Sequence, residues 1–450
     1  MTPQAGEETD RVLVLGAGLV AGPLVRYLLE NAGLRVTVAT RTVSKAETII
    51  DGHEGGVPVA LDVQNVEQLR SLVADADLVV SLLPYAHHVQ VAELCIDRRI
   101  PMVTTSYVSP QMQALDSAAR KAEILVLNET GVDPGIDHMS AMRIIHNVQE
   151  RGGTIAEFTS CCGGLPAPEA VTTPWGYKFS WSPRGVVMAA RNAARYLLDG
   201  KRVDVPGPEL FADVGAAKID GVGDLEIYPN RDSLGYRERY GLEGVRTIFR
   251  GTFRYPGHCR TWKALVDLGY LDLEEHDLQS TTYGAFLAGM IGSAGKDVRS
   301  EAAARLSMDP AADPLERMDW LGLLGTDVIQ DGRTTPLDVL AGRLLERLPY
   351  AEGERDMIVM QHRFLAEFPE GRTERITSTL VDFGIPGGDS SMARTVSLPA
   401  AVAVRYILEG RIKATGVHIP VMPTMYNPIL MELERLGIRC TDSTEVIEPP

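Results

Sequence analysis

The first 130 residues alternate continuous apolar runs with amphipathic segments. Runs such as RVLVLGA (11–17) and ADLVVSLLP (76–84) are typical of strands buried on both faces of a parallel sheet. Further strands are predicted at RVTVAT (35–40), GVPVALDV (56–63), IPMVTTSY (100–107) and ILVLNET (124–130). Helices are predicted over about 19–31 and from SKAETII (44–50) onward. This alternation predicts an α/β fold with a doubly wound parallel sheet, which binds ligands at the carboxyl ends of its strands.

After residue 130 the pattern changes to longer strands and then to a helical stretch. TIAEFTSCCGG (154–164), GTFRYPG (251–257) and RDMIVMQHRFLAEFP (355–369) are predicted to be strands of a mixed sheet. Residues 399–410 (PAAVAVRYILEG) are predicted to form an apolar helix that packs back on the core. The changes predict a parallel-sheet domain at 1–130, a mixed-sheet domain at 131–259 and 348–399, and a helical domain at 260–347.

Composition narrows the class of protein. The chain has 450 residues, 45% hydrophobic and 23% charged, which is typical of a globular protein of two or three domains. The net charge of −16 argues against a nucleic-acid partner, which requires a basic surface. The five cysteines form no CxxC pair, so neither a disulfide framework nor a metal site is predicted. No apolar stretch is long enough to span a bilayer, and the polar start does not resemble a targeting peptide, so we expect a cytoplasmic protein without membrane partners.

A glycine-rich turn follows the first predicted strand. Gly16, Gly18 and Ala21 form a G-x-G-x-x-A frame between strand and helix, with Leu19 and Val20 inside the turn. In dinucleotide-binding folds, the first glycine permits the tight turn and the second lets the backbone approach the pyrophosphate. The helix N-terminus then faces the phosphates. The alternative is a glycine turn without a ligand, but its position inside strand–turn–helix–strand favours dinucleotide binding.

The second strand lacks the acidic residue that usually binds the ribose 2′-hydroxyl of NAD. It runs instead into Thr40, Arg41 and Thr42. A guanidinium and two hydroxyls suit a 2′-phosphate, which a carboxylate would repel, so NADP(H) is the predicted cofactor. The alternative is a solvated arginine in a loop. Asp62 and Val63 follow the third strand and either meet the adenine or simply end the strand.

Six further segments hold polar residues and turn residues together: TTSYVSP (104–110), NETGVDPGIDH (128–138), CCGGLPAPE (161–169), GYKFSWSPRG (176–185), YPNRDS (228–233) and RGTFRYPG (250–257). The first follows a sheet strand, where substrate and nicotinamide are expected to meet. The two glycines after Cys162 suggest a thin wall close to a ligand. Each segment also has an ordinary explanation: His138 is expected to be a hydrogen-bonded structural histidine, and Cys162 a small buried residue.

Together these segments resemble the saccharopine reductase family, the NADP-dependent, glutamate-forming saccharopine dehydrogenases. The resemblance runs from VLGAGLVAGP through the six segments to EGERDMIVMQH and AVAVRYILEG. It implies a variant Rossmann domain, a mixed α/β domain for substrate binding and dimerisation, and a small helical domain. It also implies that the C-terminal segment, about 400–450, returns to the first domain, and that the protein is a homodimer.

The resemblance implies a reaction of lysine metabolism. The aldehyde of L-2-aminoadipate 6-semialdehyde condenses with the amine of L-glutamate, and NADPH reduces the imine to saccharopine; the reverse reaction oxidises saccharopine. Such a substrate carries three carboxylates, for which Arg231 and Arg254 are candidate ligands. The full substrate-binding set implied is Ser106, Tyr107, Asp133, Arg231, Thr252, Phe253 and Arg254.

The resemblance also implies cofactor contacts from Thr105, Ser106, Val132, Asp133, Pro134 and Ser180. Asp133, Tyr107 and Cys162 are candidate groups near the reacting atoms. No single acid–base residue is assigned, because hydride transfer to an iminium depends more on alignment and a dry pocket than on strong acid catalysis. Cys161 departs from the pattern, since an aromatic residue is usual before the second cysteine in fungal members, and this leaves the pocket shape open.

Two alternative functions share part of this pattern. A sister imine reductase resembling carboxynorspermidine dehydrogenase would use a diamine in place of glutamate, and the paired arginine motifs argue against it. A non-catalytic NADP(H)-sensing protein would keep the fold without turnover, and the substrate-side motifs argue against that.

Overall fold

The computed structural model describes residues 9–180, 183–293 and 295–447. The chain divides into two compact units, 1–153 with 380–441 and 154–379 with 442–450. Within the segment GYKFSWSPRG, Trp181 and Ser182 lie outside the described residues. No helix in the described ranges combines the length and the apolar character needed to cross a membrane.

The first unit alternates strands and helices as the hydrophobic pattern predicts. Its strands are β1 (Arg11–Leu15), β2 (Arg35–Thr40), β3 (Gly56–Ala60), β4 (Leu78–Ser81), β5 (Met102–Thr104), β6 (Leu125–Leu127) and β15 (Gly416–His418). Its helices are α1 (Ala21–Arg26), α2 (Val43–Ile50), α3 (Val66–Ala74), α4 (His88–Arg98), α5 (Pro110–Ala114), α6 (Asp116–Lys121), α7 (Ile136–Glu150), α15 (Ser391–Leu408) and α16 (Pro423–Arg435). Local sequence sets several helix starts: Asn65 and Ser109 accept backbone N–H bonds as N-caps of α3 and α5.

The strands of the first unit form a seven-stranded sheet in the order β15-β6-β5-β4-β1-β2-β3, and the recorded pairs are parallel. All four residues of β4 are buried, because helices cover a parallel sheet on both faces. The strand order reverses between β1 and β4, and ligands of doubly wound sheets bind at such a point. The structure thus has the expected α/β, Rossmann-like sheet.

The C-terminal segment contributes to the first unit over residues 380–441. β15 pairs with β6 at the edge of the parallel sheet, and Tyr27 of the first helical segment hydrogen-bonds to Glu432 of α16. The last strand, β16 (Thr441–Ile447), lies beside β14 in the second sheet. The extent of the returning segment, about 400–450, stays a prediction.

The second unit is built on a mixed sheet. Its strands are β7 (Thr154–Pro166), β8 (Ala194–Leu198), β9 (Lys201–Val205), β10 (Gly215–Ile219), β11 (Gly223–Pro229), β12 (Thr247–Arg254), β13 (Asp356–Glu367), β14 (Thr373–Phe383) and β16. The main order is β10-β11-β12-β7-β13-β14-β16, with β8 on β12 and β9 on β8. β7 pairs in parallel with β12 and antiparallel with β13, as a mixed sheet requires.

Helices of the second unit share a core with residues that precede them in the chain. They are α8 (Pro183–Ala189), α9 (Gly235–Arg239), α10 (His258–Asp267), α11 (Tyr283–Met290), α12 (Val298–Leu306), α13 (Asp313–Leu321) and α14 (Pro336–Arg347). Trp175 and Phe211 are buried in one cluster with Trp262 and Leu340. Residues 260–347 are thus mostly helical, and they belong to the same compact unit as the sheet. A separate helical domain stays a prediction.

Gly163 lies on β7, at the centre of the second sheet and next to β12. A Cβ atom added at Gly163 would lie 2.6 Å from the carbonyl oxygen of Phe253. The absence of a side chain at Gly163 therefore lets the backbone of β12 approach β7. The thin wall that was expected to lie close to a ligand lies against a strand at this position.

We expect Gly163→Ala to destabilise the protein by about 1–3 kcal/mol, because backbone atoms cannot move away from the added methyl group. The matched control is Gly289→Ala, in an exposed position of α11 with no atom within 4 Å of the added Cβ. This control should stabilise the protein by about 0.5–1 kcal/mol. Urea unfolding measures both changes, and equal effects would contradict the close-approach explanation.

Candidate active site

The glycine-rich turn lies at the reversal point of the first sheet. Gly16 has φ +108°, and its N–H donates to the carbonyl of Ala39 at 2.9 Å. A Cβ at Gly16 would lie 3.1 Å from the carbonyl oxygen of Leu82, whereas one at Gly18 would meet no atom within 4 Å. The first glycine thus makes the turn, and the second leaves open space beside the backbone, as a pyrophosphate requires.

The helical segment after this turn begins without a side-chain cap. Val20 is the N-cap residue of α1 and provides no side-chain hydrogen bond, and Leu19 is 74% exposed. Ala21 donates its N–H to the carbonyl of Gly18, and Pro23 has no N–H, so the uncapped Gly22 N–H is the donor of this turn that can face an anionic ligand.

Thr40, Arg41 and Thr42 lie where β2 ends and α2 begins. Arg41 and Thr42 are exposed, and the Thr42 side chain makes no cap hydrogen bond to α2. Contacts of Arg41 and Thr42 with a 2′-phosphate stay a prediction. Asp62 is exposed and its carboxylate accepts the N–H of Gln64 at 3.0 Å, which stabilises its own turn. Val63 packs against the core, so contacts of this pair with adenine stay a prediction.

We expect Arg41→Ala to reduce the preference for NADPH over NADH by about tenfold or more, because one charge-assisted phosphate contact is lost. Arg35→Ala is the matched control, since Arg35 is exposed at the opposite end of β2. The ratio of kcat/KM for the two cofactors measures the effect. An unchanged ratio in Arg41→Ala would exclude Arg41 from the phosphate site.

The segment that follows β5 carries two of the candidate groups. The Tyr107 hydroxyl donates to the Asp133 carboxylate at 3.0 Å, and both side chains are partly exposed. Thr105, Ser106, Val132 and Pro134 lie in the same two loops, which follow β5 and β6. The structure thus brings together the first-unit residues proposed for both ligands.

A buried pair that sequence reasoning did not connect holds this segment in place. Glu129 accepts the N–H of Val108 with one carboxylate oxygen at 3.0 Å. Its other oxygen lies 2.7 Å from Nε2 of His138, and both side chains are buried. His138 is therefore a structural histidine, as expected. The segment ILVLNET contains Glu129, but only the tertiary structure shows that its carboxylate contacts both Val108 and His138.

His88 is a second buried histidine against the same segment, and the sequence analysis missed it. Its Nε2 lies 2.8 Å from the Ser106 hydroxyl and its Nδ1 2.9 Å from the Ser81 hydroxyl. Burial, and to a lesser extent the charge of His87, lower the pKa of His88 to about 4, so the imidazole is neutral at physiological pH. The signal available was the run SLLPYAHH, which follows β4 beside the reversal point.

Stability should depend on pH through His88. The unfolded chain binds a proton near pH 6.5 and the folded protein only near 4, so the folded state is favoured above this window and loses stability as pH falls into it. Between pH 7 and about pH 5 this group should lower the free energy of unfolding by roughly 2 kcal/mol. His88→Gln should remove that part of the pH dependence in urea unfolding. The same slope in both proteins would show that His88 does not contribute.

In the second unit, strand alternation places three predicted residues on one face of the sheet. Thr252 is opposite Cys162 on the neighbouring strand, and Tyr228 is opposite Thr252 on the other side. Arg254 follows Thr252 by two residues, so it faces the same way. Cys162 is buried and forms no disulfide.

Arg254 is a buried cation on this face. One guanidinium nitrogen donates to the carbonyl of Phe253 at 2.7 Å, and the group lies 5.1 Å from the ring of Tyr177 and 5.8 Å from that of Tyr228. Its Nε is buried without a hydrogen-bond partner. Within the described residues, the ionisable groups that act most on it are tyrosines and cysteines and not carboxylates, although buried charges are usually paired. The guanidinium thus has donors to spare for an anionic ligand.

The histidine next to Arg254 is uncharged. His258 stacks on Tyr228 with a centroid separation of 6.4 Å. Burial and then the guanidinium groups of Arg254 and Arg317 hold the pKa of His258 well below its usual value, so it is neutral. His258 therefore adds no positive charge beside Arg254.

Phe253 and Cys161 lie on the opposite face, with Ile227, where they help to line a cavity of about 320 Å³. The face of Arg254 thus presents the backbone of Phe253 and not its ring, and a role for Phe253 in substrate binding stays a prediction. Cys161 departs from the family pattern, which left the shape of the pocket open. Because of the same alternation, its side chain points away from the face that carries Cys162.

Arg231 and Ser180 are the two remaining predicted site residues of the second unit. Arg231 is exposed, has φ +55° and lies just beyond the end of β11. The β11–β12 register sets it about five residues, or roughly 16 Å, from Arg254 along the strand. Ser180 is partly exposed, and in the same segment Lys178 is buried in an ion pair with Glu354. Roles for Arg231 in substrate binding and for Ser180 in cofactor binding stay predictions.

The turn at Gly16, the sheet order and the basic end of β2 define an NADP-dependent oxidoreductase with a dinucleotide-binding unit and a second, mixed-sheet unit. Sequence comparison agrees with this class. The profile of the saccharopine dehydrogenase NADP binding domain matches residues 12–127, and that of the saccharopine dehydrogenase C-terminal domain matches residues 131–438. The chain belongs to the saccharopine dehydrogenase family.

Individual relatives are similar over nearly the whole chain. The saccharopine dehydrogenase [NADP(+), L-glutamate-forming] of Pyricularia oryzae is 40% identical over 96% of this chain and 99% of its own length. The mitochondrial alpha-aminoadipic semialdehyde synthase of Bos taurus is 39% identical over 97% of this chain but only 48% of its own length. The solved structure of saccharopine dehydrogenase (L-Glu forming) from Saccharomyces cerevisiae superposes with a TM-score of 0.89 at 39% identity, covering 97% of this chain and 100% of that one.

Proposed function

We propose that this protein is an NADP-dependent, L-glutamate-forming saccharopine dehydrogenase. It interconverts L-saccharopine with L-glutamate and L-2-aminoadipate 6-semialdehyde in lysine metabolism. The similarity to enzymes of that name over the full chain supports the reaction. The structural observation that carries the proposal is the buried guanidinium of Arg254, which has an unpartnered Nε and shares a sheet face with Cys162 and Thr252.

The first unit fits NADP(H). The open space at Gly18 and the uncapped helix start suit the pyrophosphate, and Arg41 and Thr42 suit a 2′-phosphate. When bound, NADPH supplies the hydride that reduces the substrate imine. The loops after β5 and β6 would orient the substrate at the strand ends, and Tyr107 and Asp133 would meet its polar groups.

The second unit fits a substrate with several carboxylates. Because roughly 16 Å of strand separates Arg231 from Arg254, the two side chains would bind different carboxylates. Arg254 would hold its carboxylate in a dry environment, where a charge-assisted bond is strong and directional. The Asp133 carboxylate, which accepts from Tyr107, is suited to bind an ammonium group or to pass a proton to solvent.

The proposal extends to organisation and location. The chain would act as a cytoplasmic homodimer, with the substrate-binding and dimerisation domain in the mixed-sheet region and a helical domain at 260–347. Sedimentation velocity of the purified protein tests the dimer.

The decisive test follows NADPH absorbance with the semialdehyde and glutamate as substrates. Turnover with glutamate but not with a diamine such as 1,3-diaminopropane is expected. Turnover with the diamine alone would favour the carboxynorspermidine-dehydrogenase-like reaction. Tight NADPH binding without oxidation by any amine and aldehyde pair would favour an NADP(H)-sensing protein.

We expect Arg254→Ala and Arg231→Ala to raise the KM for amino-acid substrates, since each loses a charge-assisted bond of about 1.5–3 kcal/mol. The KM for NADPH should change little. Arg363→Ala is the matched control, because Arg363 is exposed at the cavity on the opposite face of the same sheet. Unchanged substrate KM in both variants would contradict carboxylate binding by these arginines.

A further inference from the structure

Three side chains form a hydrogen-bonded line in the first unit: Ser81, His88 and Ser106. The Ser81 hydroxyl lies 2.9 Å from Nδ1 of His88, and Nε2 of the same ring lies 2.8 Å from the Ser106 hydroxyl. Ser81 and His88 are buried, and Ser106 is partly exposed at the end of β5. The line thus runs from inside the sheet to the strand ends where ligands bind.

Burial determines the direction of the two hydrogen bonds. The Ser81 side chain is 0% exposed, and in the described part of the chain Nδ1 of His88 is its only side-chain hydrogen-bond partner. If Nδ1 carried the proton, the Ser81 hydroxyl would accept a bond but have nowhere to donate its own hydrogen. A buried donor without an acceptor is strongly disfavoured. Ser81 therefore donates to Nδ1, and the proton of the ring resides on Nε2.

The ring stays neutral in this position. His88 is the first residue of α4, where the positive end of the helix dipole disfavours a second positive charge. The titratable neighbour that acts on it is His87, which also disfavours protonation, and the hydroxyls of Ser81 and Ser106 carry no charge. A neutral ring protonated on Nε2 donates to Ser106.

We propose that His88 is a positioning residue that holds the Ser106 hydroxyl as a hydrogen-bond donor toward the bound ligand. Because Ser106 accepts from His88, its own hydrogen points away from the ring, toward an acceptor oxygen. That oxygen belongs either to a substrate carboxylate or to the carboxamide of the nicotinamide. The inference rests on the proposed role of Ser106 in ligand binding.

A pair of variants separates the two nitrogens of the ring. In His88→Gln the amide of the side chain takes the place of Nε2 and can still donate to Ser106. In His88→Asn the shorter amide takes the place of Nδ1, so the bond to Ser106 is lost. His87→Asn makes the same change one residue earlier, outside this line of hydrogen bonds, and is the matched control.

We expect Ser106→Ala and His88→Asn to raise the same KM, each by about 3- to 10-fold, which is the usual effect of one hydrogen bond. The double variant should be no worse than either single variant, because both remove one interaction. His88→Gln and His87→Asn should stay within about twofold of the wild type. A change in the KM for glutamate or semialdehyde identifies a substrate carboxylate as the acceptor, and a change in the KM for NADPH identifies the nicotinamide.

Thermal unfolding of each variant separates positioning from loss of fold. An effect of Ser106→Ala without one of His88→Asn would overturn the positioning role, as would additive effects in the double variant. No effect of Ser106→Ala would remove Ser106 from the ligand site and overturn the inference with it.

A readout that does not depend on activity completes the test. In wild-type protein labelled with ¹⁵N-histidine, the signals that disappear in His88→Gln should show a bare Nδ1 and a protonated Nε2 at neutral pH. A proton on Nδ1 would overturn the proposal whatever the kinetics. If the wild type does not turn over glutamate, the proposed function fails, whereas these signals still decide the direction of the hydrogen bonds.

Discussion

Burial of the parallel sheet on both faces determines where the first unit can bind a ligand. β4 pairs with β1 on one side and with β5 on the other, and its residues are buried, so its backbone polar groups are used in the sheet and helices exclude water from both faces. Polar side chains can therefore reach a ligand only where strands end. Gly16, Arg41, Ser106 and Asp133 all lie in such connections, although they are distant in the chain.

Buried histidines hold the segment after β5 from inside the fold. His88 and the pair of Glu129 and His138 contact the segment after β5 from two sides, at Ser106 and at Val108. Satisfied polar networks of this kind rigidify a loop, because each alternative conformation leaves a buried donor or acceptor unpaired. The loop that carries Tyr107 is held from within, while Tyr107 itself remains partly exposed to meet Asp133.

The second unit depends on strand alternation. Arg254 and Cys162 share one face of the sheet, whereas Phe253 and Cys161 lie on the other. Residue type made Arg254 a candidate carboxylate ligand, but only the structure shows that it is buried with an unpartnered Nε. The two glycines after Cys162 were expected to form a wall against a ligand, and Gly163 turns out to accommodate the backbone of Phe253.

The sequence by itself determined the class of fold, the cofactor and the family, because these depend on local patterns. Apolar runs predict buried strands, and the frame at Gly16 with Arg41 after β2 selects a phosphorylated dinucleotide within some 30 residues of chain. Boundaries at 153 and 379, the pairing of β16 with β14 and the contacts of His88 were decided only by the tertiary structure. Each depends on which segments meet across long stretches of chain, and burial and hydrogen-bond satisfaction select those contacts in ways that no local pattern records.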